Sequence, residues 1–236
     1  MNFLEELLDL VFVPSCLECG VKLGEERRAC LCGRCWSSIR LIEPPSCVSC
    51  GKQLRSDLEP LCGDCRAAKH LFTDNRSAAV YDGVMRNAIH LFKYKDKRKL
   101  GRWFGEMSVQ ALLSSGGLAG IDCIIPVPIY RKKHRDFNQS EALARFIGDW
   151  FRLPVLSDLL VRTKDTRPQH ELSRGERRQN VRGAFSLNNS QKLDSRSVLL
   201  VDDIFTTGAT ANECTDAILG GSGARLVRVF TLARGE

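Results

Sequence analysis

No apolar run in this chain of 236 residues reaches the roughly 18 residues of a membrane-spanning helix. The opening stretch MNFLEELLDLVFVP has no basic leader and carries Glu5, Glu6 and Asp9, so it does not read as a secretory signal. There is no GxxxxGK followed by Ser or Thr anywhere, which excludes a P-loop nucleotide site. Histidine is scarce. His170 has no acid or thiol partner in sequence reach and is read, with His70, His90 and His134, as a surface residue rather than a catalytic one. These absences predict a soluble, cytoplasmic protein. Its apolar fraction of 43% suffices for a packed core, in one ordinary domain plus a small one. Phe3, Leu4, Leu7, Leu8 and Val11 fall on one face of an acidic amphipathic helix, expected to pack on the protein itself.

Cysteine is abundant, and its order is not random. CLECGVKL at 16–23 is echoed by CVSCGKQL at 47–54, and LCGRC at 31–35 by LCGDC at 61–65. This tandem repeat offers two pairs of CxxC knuckles, the pattern of zinc ribbons in which four thiolates build a closed tetrahedral site. The repeat fixes the register, leaving Cys30 as the extra thiol. One zinc is assigned to Cys16, Cys19, Cys32 and Cys35, and a second to Cys47, Cys50, Cys62 and Cys65. Disulfides would need an oxidising compartment, which the missing signal argues against. Cys123 and Cys214 sit in apolar surroundings and read as small core residues. A module this small has little core, so metal binding should supply much of its folding free energy.

Residues Val198 to Thr210 read VLLVDDIFTTGAT. The Val/Leu run has the look of a strand buried on both faces, as in a parallel sheet. At its carboxyl end, Asp202 and Asp203 could accept hydrogen bonds from vicinal ribose hydroxyls. Thr206, Thr207, Gly208, Ala209 and Thr210 then open a helix, whose free N–H groups and dipole favour a phosphate.

This stretch resembles the phosphoribosyl pyrophosphate (PRPP) motif of type I phosphoribosyltransferases, and the whole chain resembles the ComF-type competence proteins, also called the GntX-like or amidophosphoribosyltransferase-like family. The resemblance implies a PRPP site with Asp202 and Asp203 on the ribose, residues 206–210 around the 5'-phosphate, and Mg bridging phosphate oxygens. It also implies that the loop after the strand DCIIPVP, residues Pro128, Ile129, Tyr130, Arg131 and Lys132, holds the pyrophosphate. Beyond that loop, Arg135, Asp136, Phe137, Asn138 and Gln139 stand against a family pattern of Arg-Gly-Phe-Asn-Gln, with Asp136 in place of Gly. Residues 162–185 resemble the mobile lid of these enzymes, with Lys164, Gln169, Leu172, Arg177, Asn180, Gly183 and Phe185 matching. Their many charges and lack of apolar period suit a segment that leaves and re-enters solvent.

A coarse pass places the domain boundary near 66–76, giving an N-terminal helix with tandem ribbons over 1–75 and a phosphoribosyltransferase-like domain over 76–236. Expected helices lie near 84–95, 99–114 and 138–151, and a short strand near 158–163; a polar stretch runs from there to about 183. The strand at 198 follows, with its helix to about 219 and a last strand LVRVFTLA. Alternating strands and helices predict an α/β fold, a mainly parallel sheet flanked by helices, with ligands at the carboxyl ends of the strands.

The formal charge is +7, and the excess lies in the larger domain. Lys93, Lys95, Lys97, Arg98 and Lys99 interleave with Phe92, Tyr94 and Trp103, a pattern suited to single-stranded DNA, although Phe92 and Trp103 could equally face the core. Two functions follow. In one, an enzyme transfers phosphoribose from PRPP to an unknown acceptor in nucleotide metabolism, Asp202 and Asp203 orienting the ribose. In the other, a PRPP-binding module handles incoming single-stranded DNA. The family resemblance favours the second, acting with DNA-uptake machinery near the inner membrane.

Overall fold

The computed structural model describes residues 14–24, 28–92, 99–130, 137–167 and 173–235. The amphipathic face at residues 3–11 lies outside them, as do Lys93, Lys95, Lys97, Arg98, Arg131, Lys132, Asp136, Gln169 and Leu172.

Two short helices, α1 (Gly33–Ser37) and α2 (Gly63–Ala67), belong to the cysteine repeats. Then come β1 (Asn75–Val80), α3 (Gly83–Phe92), α4 (Leu100–Ser114), β2 (Cys123–Pro126), α5 (Gln139–Phe151) and β3 (Leu160–Arg162). The chain continues through α6 (Arg174–Val181), β4 (Phe185–Leu187), β5 (Ser197–Phe205), α7 (Ala209–Gly221) and β6 (Leu226–Arg234). The main sheet has the order β1-β6-β5-β2 with every pair parallel. Both edges are covered, which removes a template for stray pairing. Residues 40–42 bond to the outer side of β1, and residues 154–156 to the outer side of β2.

The Val/Leu run of β5 alternates between faces, as a strand buried on both sides requires. Leu199 and Val201 join Ile124, Phe230 and Leu232 under α3, α4 and α5. Val198 and Leu200 join Ile125, Val229 and the α7 residues Cys214 and Ile218 on the opposite face. The two ribbons divide between these faces. Cys16, Leu23, Leu31 and Cys35 pack within the first cluster, while Cys47, Cys50, Cys62 and Cys65 pack within the second. Neither ribbon therefore depends on its own small core.

The polar stretch up to residue 183 is more structured than its composition suggests. β3 and β4 pair antiparallel. Between them α6 begins with a capping box, Ser173 accepting from the Glu176 N–H at 3.4 Å and Glu176 accepting from the Ser173 N–H at 2.8 Å. Phe92 is fully buried, edge-on to Phe104 and Phe137 at 5.2 Å, so it is core and offers no face to a base. Trp103 lies edge-on to Trp36 of the first ribbon at 6.2 Å, with Arg28 over its ring.

Candidate functional site

At the carboxyl end of β5, one small cleft is lined by Asp202, Thr206, Gly208, Ala209, Thr210 and Thr231. The first acid and most of the expected phosphate loop thus share a single concavity. Gly208 sits at the helix N-cap with φ of 76°, a left-handed conformation that disfavours side chains. A Cβ there would lie 2.8 Å from Phe205 Cζ and 2.9 Å from His70 Cε1, so glycine is also demanded by space. Thr207 Oγ1 accepts from the Ala209 N–H at 3.4 Å, and α7 then runs 13 residues, long enough for its dipole to favour an anion at this end.

The two acids occupy different surroundings, because successive strand residues point to opposite faces. Asp202 Oδ1 accepts from Ser140 Oγ and from the Asp203 N–H, both at 2.9 Å. Burial, and then the neighbouring Asp203 charge, push its carboxyl up to about 8. This favours its protonated form near neutral pH, and a bound cation would shift it back toward the carboxylate. Asp203 lies toward Tyr81, whose phenol is raised first by burial and then by that carboxylate.

Ser140 is a site residue that sequence reading passed over. It is buried at the start of α5, where Asn138 accepts from the Ser140 N–H at 3.1 Å and donates its amide to Val127 O at 3.1 Å. The Phe-Asn-Gln stretch thereby caps α5 and holds the end of β2, from which Pro128, Ile129 and Tyr130 emerge beside β5. Arg131 and Lys132, the charged part of this loop, lie outside the described residues.

Of the expected lid residues, Lys164 donates to Arg182 O at 3.0 Å. Asn180 both donates to and accepts from the backbone of Arg167, at 2.9 and 3.1 Å. These contacts brace the segment around α6. Gly183 N–H reaches Glu213 on α7 at 2.8 Å, and Arg162 on β3 lies near enough to Asp202 for the carboxylate to act on it.

His70 corrects the surface reading. It is half-buried, stacked on Phe72 with centroids 4.6 Å apart, and its Nδ1 is 3.2 Å from the Asn212 amide on α7. Burial and the Arg234 and Arg178 charges lower its pKa, so a neutral ring stands beside the loop at 206–210. The partner is 142 residues away in sequence, beyond any local signal.

Both cysteine clusters assemble as the repeat register requires, each with four sulfurs within 4.8 Å of one another. A zinc tetrahedron with Zn–S near 2.3 Å places its sulfurs about 3.8 Å apart. Cys19 and Cys32 are 3.8 Å apart, and Cys50 and Cys62 are 3.6 Å apart. Backbone N–H groups point at the sulfurs, from Cys32 to Cys16 and from Cys62 to Cys47, each at 3.4 Å. These are closed four-thiolate structural zinc sites, and Cys30 belongs to neither. Cys123 and Cys214 are fully buried in the core. No helix of the described residues is long and apolar enough to cross a membrane.

Residues 7–66 match the double zinc ribbon domain family. Competence protein F of Haemophilus influenzae is 31% identical over 225 residues, covering 93% of this chain and 96% of that protein. DNA utilization protein YhgH of Escherichia coli O157:H7 is 30% identical over 178 residues, covering 73% of this chain and 77% of that one. Among solved structures, adenine phosphoribosyltransferase from Leishmania tarentolae aligns over 63% of this chain and 75% of its own, at 12% identity and a TM-score of 0.38.

Proposed function

Since the chain belongs to the competence protein F family, we propose that it acts in the uptake and use of external DNA, through a strand-end site for PRPP and a basic surface for single-stranded DNA. The observation that carries the ligand assignment is the cleft shared by Asp202, Thr206, Gly208, Ala209 and Thr210 at the end of a central parallel strand. Ligands of open parallel sheets bind at this end. In the proposed complex the 5'-phosphate sits on the free N–H groups that open α7, at the close approach Gly208 permits. The ribose hydroxyls meet the acids; Asp202 Oδ1 is already held by Ser140 and Asp203, leaving Oδ2 for the ligand. The pyrophosphate lies by residues 128–132. Asp202 and Asp203 are the oxygen donors here that suit Mg, which would balance the ligand's negative charge.

For the DNA arm, support comes from the names of the relatives and from the basic sequence at 93–99. The burial of Phe92 removes one aromatic from the proposed contact, Tyr94 lies outside the described residues, and attraction to the nucleic-acid backbone is the part the basic sequence supports.

The test is a calorimetric titration of the zinc-loaded protein with Mg-PRPP, beside an Asp202→Asn/Asp203→Asn double variant. Micromolar binding lost in the variant supports the site; no binding to folded wild type sinks it. Oligonucleotide affinity should fall steeply with salt and weaken on charge reversal at Lys95, Lys97 and Lys99. Pyrophosphate release on adding an acceptor base or oligonucleotide would instead favour a transferase.

A further inference from the structure

The two zinc knuckles are alike in sequence and unlike in attachment. The first faces α3 and α4: Glu18 accepts from the Asn87 amide at 3.0 Å, and Trp36 stacks on Phe104 with centroids 5.9 Å apart. The second lies under the strand-end cleft. Arg234, the last residue of β6, is only 5% exposed. Its Nη2 donates to Cys50 Sγ at 3.0 Å and its Nε to Cys50 O at 2.9 Å. The same guanidinium sits 5.4 Å over the Phe205 ring. Phe205 is the β-ladder partner of Arg234 and accepts from the Gly235 N–H at 2.8 Å. Phe205 in turn is the ring that would meet a Cβ at Gly208.

A second route leaves the same cysteine. The fully buried Asn75 donates from Nδ2 to Cys50 O and to Ser77 Oγ, each at 3.0 Å. Ser77 Oγ is 2.7 Å from Thr231 Oγ1, and Thr231 lines the cleft. A zinc bound by four thiolates carries a net charge of about −2. A buried guanidinium donating to one of those sulfurs offsets about half of that charge.

We propose that the second zinc knuckle is a working part of the strand-end site, with Arg234 as the positioning residue that joins the Cys50 thiolate to Phe205 and Gly208. Among the described residues, no hydrogen bond joins the first knuckle to this link. The inference rests on the strand-end ligand reading for its functional consequence, and on the zinc geometry for its structural one. Linkage makes the coupling reciprocal in binding free energy: a ligand on the loop must raise the affinity for the second zinc as much as that zinc raises the affinity for the ligand, and slower zinc loss is the expected sign of it.

Zinc transfer from the full chain to a chromophoric chelator tests this. A Cys19→Ser variant removes the first site and identifies which release phase belongs to the second. Arg234→Gln should speed that phase about tenfold, as expected when a donor to a metal ligand is lost. Mg-PRPP should slow it about fivefold in wild type and hardly at all in Arg234→Gln. Wild type that binds Mg-PRPP by calorimetry yet releases its second zinc at an unchanged rate would overturn the coupling. If Arg234→Gln fails to fold, Arg234→Lys, which keeps the charge but loses the fork, should give the same change in smaller measure. Should wild type bind no Mg-PRPP, the ligand reading falls, and hydrogen exchange decides the structural link. Arg234→Gln, or Arg234→Lys if it alone folds, must then raise exchange across 203–211 and leave α4 as it was; unchanged exchange at 203–211 overturns it.

Discussion

Replacing Gly208 and Gly220 by alanine, one at a time, sets two substitutions of the same chemistry against each other at the two ends of α7. At Gly208 the left-handed backbone costs a side chain about 1–2 kcal/mol. The new Cβ must also displace Phe205 and His70, now 2.8 and 2.9 Å from where it would sit, and overpacking of this kind adds about 1–3 kcal/mol. The total, about 2–5 kcal/mol, should lower Tm by roughly 4–20 °C for a chain of this size. Gly220 is an exposed helical glycine with nothing near its Cβ position, so alanine there should stabilise by about 0.5–1 kcal/mol. Thermal unfolding followed by far-UV circular dichroism reads both, and Mg-PRPP titration should show at least a tenfold loss in Gly208→Ala alone. A Gly208→Ala protein melting within about 2 °C of wild type would refute the reasoning, because neither the backbone nor the rings could then be as described.

Other outcomes follow from the acids and the thiols. Asp202 holds a proton in the fold up to about pH 8, against an ordinary value of 3.8, so the folded state binds more protons across that window and stability should fall as pH rises through it. Denaturant unfolding at pH 6.5 and 8 should show a decline of about 1 kcal/mol or more that Asp202→Asn removes; equal slopes in the two proteins would contradict it. Ser140→Ala takes away the hydroxyl that supports the Asp202 carboxylate and should weaken Mg-PRPP about tenfold by calorimetry without altering zinc content. Metal analysis should find two zinc ions per chain in wild type and in Cys30→Ser, and one in Cys32→Ser; two in the last would mean that Cys30 replaces it.

The elements that could be read in advance are those whose signal is local. The Val198–Val201 run, the acids after it and the small-residue turn fall within thirteen consecutive residues, and the structure places them on one strand, loop and helix start. The cysteine register came from a repeat, which supplies its own internal control. What escaped is long-range or ambiguous by face. His70 reaches Asn212 across 142 residues and Arg234 reaches Cys50 across 184, distances over which sequence pattern carries no information. Phe92 lay between basic residues that pointed to a surface, yet its helical face points inward. One miss was avoidable: Ser173 and Glu176 spell a capping box, which announces α6 inside a stretch read as polar loop.

The position of β6 has a consequence for how the fold is reached. It is the last strand in chain order but lies between β1 and β5, pairing with both along most of its length. Until residues 226–234 are present, β1 and β5 each expose an unpaired apolar edge, and the sheet exists only as two separate pieces. The ladder between β1 and β6 joins residues about 150 apart, a closure that slows folding and lengthens the time those edges stay open. During synthesis the cysteine repeats emerge long before this strand arrives. The sheet is therefore completed last, and the strand that completes it also brings Arg234 to Cys50.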